Sequence, residues 1–109
     1  MKVKFNDDQC KACLLSVRCF VAATAALLHQ DPLGKTIMDR ATALLHRIGP
    51  DGDALADADL DREESNTLVS ALNAAHFILV LSKDVAMSMP DDERQATLKN
   101  IRHCMATFK

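Results

Sequence analysis

The chain contains no Trp and no Tyr, and only four Phe among its 109 residues. Any core it builds must therefore be aliphatic, filled by Leu, Ile, Val, Met, Cys and Ala. Glycine and proline are scarce too, three of each, which excludes collagen-like, linker-like and low-complexity classes. A P-loop, a G-x-G-x-x-G turn, a G-x-S-x-G elbow and an H-E-x-x-H pair are all absent, so no motif points to nucleotide, hydrolase or metalloprotease chemistry. No Ser/His/Asp set stands out, and no catalytic residue and no enzyme activity are expected. Charge of one sign is also lacking: the net value is -2. Lys and Arg are dispersed, with no basic stripe and no interleaved aromatics, which disfavours nucleic acid and anionic membrane as partners.

What is present reads as a globular protein. Apolar residues make up 49% and charged residues 26%, and this length suits one domain over 1–109. Two stretches approach membrane length, 12–28 and 67–82. Arg18 interrupts the first, and the second holds Asn73 and His76. A span needs about 20 mostly apolar residues, so both are expected to be core helices. The start, Met1-Lys-Val-Lys-Phe-Asn-Asp-Asp, puts Lys before acids rather than before an apolar run and does not read as a secretory signal. The four thiols, Cys10, Cys13, Cys19 and Cys104, are therefore expected to be free in a reducing, cytoplasmic setting.

All the Gly and Pro fall at three places, Pro32/Gly34, Gly49-Pro50-Asp51-Gly52 and Pro90. Three breaks define four segments, each with apolar residues at helical spacing. No segment shows the Val/Ile/Thr/Tyr alternation of a strand. The fold class expected is all-α, a four-helix up-down-up-down bundle, with helices over about 7–30, 32–48, 62–88 and 90–107 and an acidic loop over 49–61.

Helix one carries Cys10, Cys13/Leu14, Val17, Phe20/Val21, Thr24 and Leu27/Leu28 on one stripe, with Asn6 and Gln9 spaced as a capping box and Phe5/Cys10 as a hydrophobic staple. Helix two is capped by Asp31, with Pro32 at its first position and Gly49-Pro50 at its end. Helix three bears Leu68/Val69, Leu72, Ala75/His76, Leu79, Val85/Ala86 and Met89. It is apolar nearly all round from Ala74 to Leu81, which marks it as the most buried helix. Helix four shows a narrow seam of Leu98, Ile101, Met105 and Phe108. At 1.5 Å per residue, helices one and three span about 36–40 Å, and two and four about 25 Å. The mismatch leaves apolar length uncovered, and a homodimer through the longer helices would cover it.

The segment from Asp51 to Glu64 holds seven acids and one Arg, a local charge of -6. Asp57, Asp59 and Asp61 begin like a calcium loop, but Arg62 stands where Gly is due and Leu68 where the closing Glu is due. A solvated loop leading into helix three fits better, with Asp61 and Glu64 as its capping box. Asp51, Asp53, Asp57, Asp59 and Asp61 then form an acidic docking loop for a basic partner.

Two constellations could carry more. Cys10-Lys-Ala-Cys13 is a C-x-x-C, and His103-Cys104 lies near the other end of the chain. In a bundle of this topology the start of helix one and the end of helix four share one pole, so the thiols and His103 could meet there and bind zinc, or act as a redox sensor. Core-filling Cys is the simpler expectation, because adjacent His103 and Cys104 point about 100° apart on a helix. His76 stands before Phe77-Ile-Leu-Val-Leu81, a setting for a core or interface imidazole and not for a solvent-facing phosphoryl acceptor. The leading expectation is a non-enzymatic adaptor, chaperone or regulator without a cofactor. It would bind a protein partner through Leu68, Leu72, Leu79, Met87 and Met89. The alternative is a thiol protein using Cys10, Cys13 and Cys104 for metal binding or redox sensing.

Overall fold

The computed structural model describes residues 1–28, 31–81 and 89–108. Among them are four α-helices: α1 (Asp7–Leu28), α2 (Pro32–Ile48), α3 (Arg62–Leu81) and α4 (Asp91–Thr107). A 3₁₀ turn (Asp53–Ala56) and two short strands, β1 (Lys2–Val3) and β2 (Ala58–Asp59), complete them. The all-α class holds. The expected last residues of helices one and three, Met87 among them, lie outside the described residues.

The helix starts follow the expected chemistry. Asn6 Oδ1 accepts from the Gln9 amide at 2.8 Å, and Gln9 Oε1 accepts from the Asn6 amide at 2.9 Å. Asp61 and Glu64 make the same reciprocal pair at the start of α3, at 2.7 and 3.1 Å. Two donors that a helix start leaves without partners are thereby satisfied each time. Asp31 Oδ1 accepts from the Leu33 amide at 2.8 Å, with Pro32 beside it. No side chain caps α4. Asp91, Asp92 and Glu93 in its first turn complement the positive end of the helix dipole instead.

α1 and α3 each pack on the other three helices. That central position explains why α1 buries more than one stripe. Cys10, Cys13, Leu14 and Val17 are in the core as expected, and Ala12 and Ser16 are buried on a second face. The buried Ser16 hydroxyl donates to the Ala12 carbonyl at 2.7 Å, which removes the cost of hiding it. Asp7–Ala26 has the length and hydropathy of a membrane span, and 39% of it is buried against the rest of the fold.

The prediction of no strand is overturned. β1 pairs antiparallel with β2, Lys2 opposite Asp59 and Val3 opposite Ala58. The Leu60 amide donates to the Met1 carbonyl at 2.8 Å and the Phe5 amide to the Leu55 carbonyl at 3.1 Å. Lys2-Val3-Lys4-Phe5 buries Val3 and Phe5 and exposes both Lys. Asp57-Ala58-Asp59-Leu60-Asp61 buries Ala58 and Leu60 and exposes the three Asp. Both are strict two-residue alternations, too short and too charged to register as strands by β-branched or aromatic content.

The acidic segment is thus not simply a solvated loop. Leu55, Ala58 and Leu60 anchor it in the core, and Gly52 lets it approach α1. Gly52 has φ +74°, and a Cβ there would stand 2.8 Å from the Cys10 carbonyl oxygen. Both the left-handed conformation and the missing volume require glycine.

The seam of α4 also needs correction. Leu98, Ile101 and Cys104 are its buried residues, while Met105 and Phe108 are only partly buried. The inward row runs at three-residue spacing through 98, 101 and 104, and the smaller Cys104 packs on Cys13 of α1 where Met105 was expected.

Candidate functional site

Two parts of the molecule stand out, a closed thiol cluster and an exposed apolar face of α3.

The cluster forms where the first turns of α1 meet the last turn of α4. Cys13 and Cys104 are both fully buried, and their sulfurs lie 3.6 Å apart. Cys104 Sγ also lies 3.7 Å from the Gln9 carbonyl oxygen. Cys10 is buried nearby, but its thiol points to the Phe5 carbonyl at 3.7 Å. Phe5 in turn meets Phe108 edge-on, with ring centroids 6.4 Å apart, which joins the segment before α1 to the residue after α4.

The electrostatics of the pair are asymmetric. The Cys13 thiol donates to Cys104, so Cys13 holds its proton well above the ordinary thiol range, with burial adding to the effect. The same hydrogen bond favours the thiolate of Cys104 and lowers its pKa, against an opposing push from burial. Cys10 is raised by burial, with Asp7 adding to it. Cys19 is half-buried and raised by burial.

Of the expected zinc set, the structure brings Cys13 and Cys104 into contact with Cys10 close by, and leaves His103 exposed. Among the described residues, no three His, Cys, Asp or Glu side chains are grouped to hold a metal ion. The reason is helical geometry: with Cys104 turned inward, its neighbour His103 must face out.

Leu68, Leu72 and Leu79, expected at an interaction surface, are 0%, 0% and 4% exposed and belong to the core. Met89 is half-buried and packs on that core, lining a small apolar cavity with Leu15, Cys19, Ala75, Ile78 and Leu79. The exposed apolar residues of α3 lie on another face. Phe77 is 64% exposed, Val80 50% and Leu81 61%. The stretch from Ala74 to Leu81, expected to be the most buried, thus buries Ala75 and Leu79, half-buries Ala74, His76 and Ile78, and leaves Phe77, Val80 and Leu81 uncovered among the described residues. Uniform apolarity conceals which face turns inward, and sequence reasoning missed Phe77, Val80 and Leu81 for that reason.

His76 is half-buried, and its Nε2 accepts from Arg102 Nε at 3.4 Å. It ties α3 to α4 and carries no ligand-like geometry. In the acidic segment, several carboxylates serve the fold. Glu64 pairs with Arg47 at 3.1 Å, Glu63 pairs with Arg40, and Asp61 is consumed by its capping box. Asp51, Asp53, Asp57 and Asp59 remain exposed. An open cleft among α1, α2 and α3 is lined by Phe20, Ile37, Arg62, Asn66 and the Arg40–Glu63 pair. Thr67 and Ser70 add two hydroxyls to its lining, and no His or Cys lines it to activate them among the described residues.

Comparison with family models, curated proteins and solved structures finds no match for the chain.

Proposed function

We infer that this is a non-enzymatic helical protein that works by protein–protein association, as an adaptor, chaperone or regulator. We further read it as an up-down-up-down bundle acting in the cytoplasm. Its first partner is a second copy of itself, held through the exposed face of α3. The observation that carries this reading is the triplet Phe77, Val80 and Leu81 at i, i+3 and i+4, each at least half exposed. Such a row is the usual anchor pattern for a helix laid against another apolar surface.

The charge pattern favours a second copy over a charged partner. From Ser65 to Leu81, α3 contains no Asp, Glu, Lys or Arg. An isologous contact sets a patch against its own image, and a patch without charge meets no repulsion there. Burying Phe, Val and Leu stabilises such a contact by about 1.5–3 kcal/mol per side chain. The exposed Asp51, Asp53 and Asp57 lie off that helix and can steer a basic protein partner, while Asp59 pairs with the Met1 ammonium at 3.2 Å.

Light scattering across micromolar concentrations tests the reading. The native chain is expected at twice its own mass, and Phe77→Asp at the single mass with unchanged helical circular dichroism. A native chain that stays monomeric throughout that range rejects self-association.

A further inference from the structure

The association proposed above makes no use of the buried thiols, and their arrangement supports a separate property. We propose that Cys13 and Cys104 are a modification site: a low-molecular-weight disulfide oxidises them to a bond that staples α1 to the last turn of α4. Three observations on different parts of the cluster carry this.

The first is contact. The two sulfurs are 3.6 Å apart with nothing between them, so side-chain rotation and a small helix shift bring them to the 2.05 Å of a bond. The second is choice of partner. The C-x-x-C spacing suggests Cys10 with Cys13, but the Cys10 thiol is turned to the Phe5 carbonyl and Cys13 is turned to Cys104. The structure therefore selects the pair that links two helices over the pair within one. The third is access. Cys104 lies in the last turn of α4, and helix ends open at lower cost than helix middles. Phe108, just past that turn, packs partly buried on the core and meets Phe5 edge-on, so freeing the turn breaks this contact, which serves as the latch.

The exchange balances as two steps. When the last turn opens, the Cys104 thiolate attacks one sulfur of the small disulfide. A bond forms between Cys104 and that sulfur, and the other half leaves as a thiolate that takes up a proton. Cys13 then gives up its proton and attacks the Cys104 sulfur, forming the Cys13–Cys104 bond and expelling the second half as a thiol. The two protein thiols lose two electrons and two protons, and the small disulfide gains them as two free thiols. The hydrogen bond from Cys13 favours the thiolate of Cys104, which makes Cys104 the attacking group and Cys13 the resolving one.

The test treats the native full-length chain with oxidised glutathione, followed by intact mass and peptide mapping without reduction. The expected product is lighter by two hydrogens, retains no glutathione, and yields one linked pair of peptides containing Cys13 and Cys104. Its Tm rises by about 10 °C, because the bond closes a loop spanning most of the chain. Cys13→Ser is expected to retain one glutathione on Cys104. Phe108→Ala, which leaves all four thiols in place, is expected to give the same link about tenfold faster, since an aromatic edge contact is lost from the latch. A Cys10–Cys13 link, a glutathione adduct persisting on the native chain, or oxidation only in denaturant overturns the proposal. Should Cys13→Ser fail to fold by circular dichroism, the native chain and Phe108→Ala decide it.

Discussion

Two apolar regions of this molecule have opposite fates. At the thiol cluster, Cys10, Cys13 and Cys104 are buried, Phe5 meets Phe108, and β1 and the acidic segment wrap the same part of the core. At the C-terminal part of α3, Phe77, Val80 and Leu81 stand exposed although their local sequence is more apolar. Hydrophobicity alone therefore does not decide burial in a bundle this small. What decides it is how many elements converge. The cluster is reached by α1, α4, the 3₁₀ turn and the N-terminal strand, whereas one face of α3 near Leu81 is left uncovered among the described residues. Small domains bury a limited share of their surface, and here three of the exposed large apolar side chains share one part of α3, with Leu33 at the start of α2 and Met1 exposed elsewhere.

The largest effect that breaks the comparison comes from putting one charge on each face of α3. Leu72 is fully buried, so Leu72→Asp leaves an unpaired carboxylate in an aliphatic core and is expected to unfold the chain at 25 °C, a loss of about 4 kcal/mol or more. Circular dichroism of Leu72→Asp beside Phe77→Asp reads the contrast directly. Equal losses of helicity would mean that α3 does not have an inner and an outer face. The next effect probes the covered region. Gly52→Ala forces a Cβ against the Cys10 carbonyl at a left-handed φ, and urea unfolding is expected to show about 2–3 kcal/mol of destabilisation without a change in slope. A smaller one tests the start of α1. Asn6→Ala removes half of a reciprocal cap and should cost about 1 kcal/mol by the same measurement.

Much of this could be read from the amino-acid order. The caps at Asn6/Gln9, Asp31 and Asp61/Glu64, the breaks at Pro32, Gly49 and Pro90, and the buried stripes of α1 and α3 all follow from local rules that act over a few residues. That Cys13 and Cys104 could meet was legible from their places in the chain, but their contact, with Cys10 turned to Phe5 instead, is a packing fact. Three features were not legible. Lys2-Val3-Lys4-Phe5 and Asp57-Ala58-Asp59-Leu60-Asp61 alternate correctly for strands, but each is too short to form without the other, so their pairing is a long-range fact. The inward face of α3 between Ala74 and Leu81 has no polar residue to mark its outer side except His76, and packing alone assigns it. The centring of Cys104 over Met105 is set by its contact with Cys13 on α1, a long-range fact that local spacing does not show.

The smallest expected effect separates self-association from mere exposure. If two copies meet through Phe77, Val80 and Leu81, folding is linked to concentration, and the Tm of the native chain rises with it. A tenfold increase is worth about 1.4 kcal/mol per dimer, or roughly half that per chain, which at this size corresponds to about 3–5 °C. Phe77→Asp removes the link, so its Tm is expected to be the same at every concentration. At the lowest concentration, where the native chain is also monomeric, the two should agree within about 0.5 kcal/mol, because replacing an exposed side chain disturbs no core contact. Differential scanning calorimetry of both chains over two decades of concentration measures each quantity. A native Tm that does not move with concentration would leave the α3 face open in solution, and a Phe77→Asp chain unstable even when dilute would place Phe77 inside the fold.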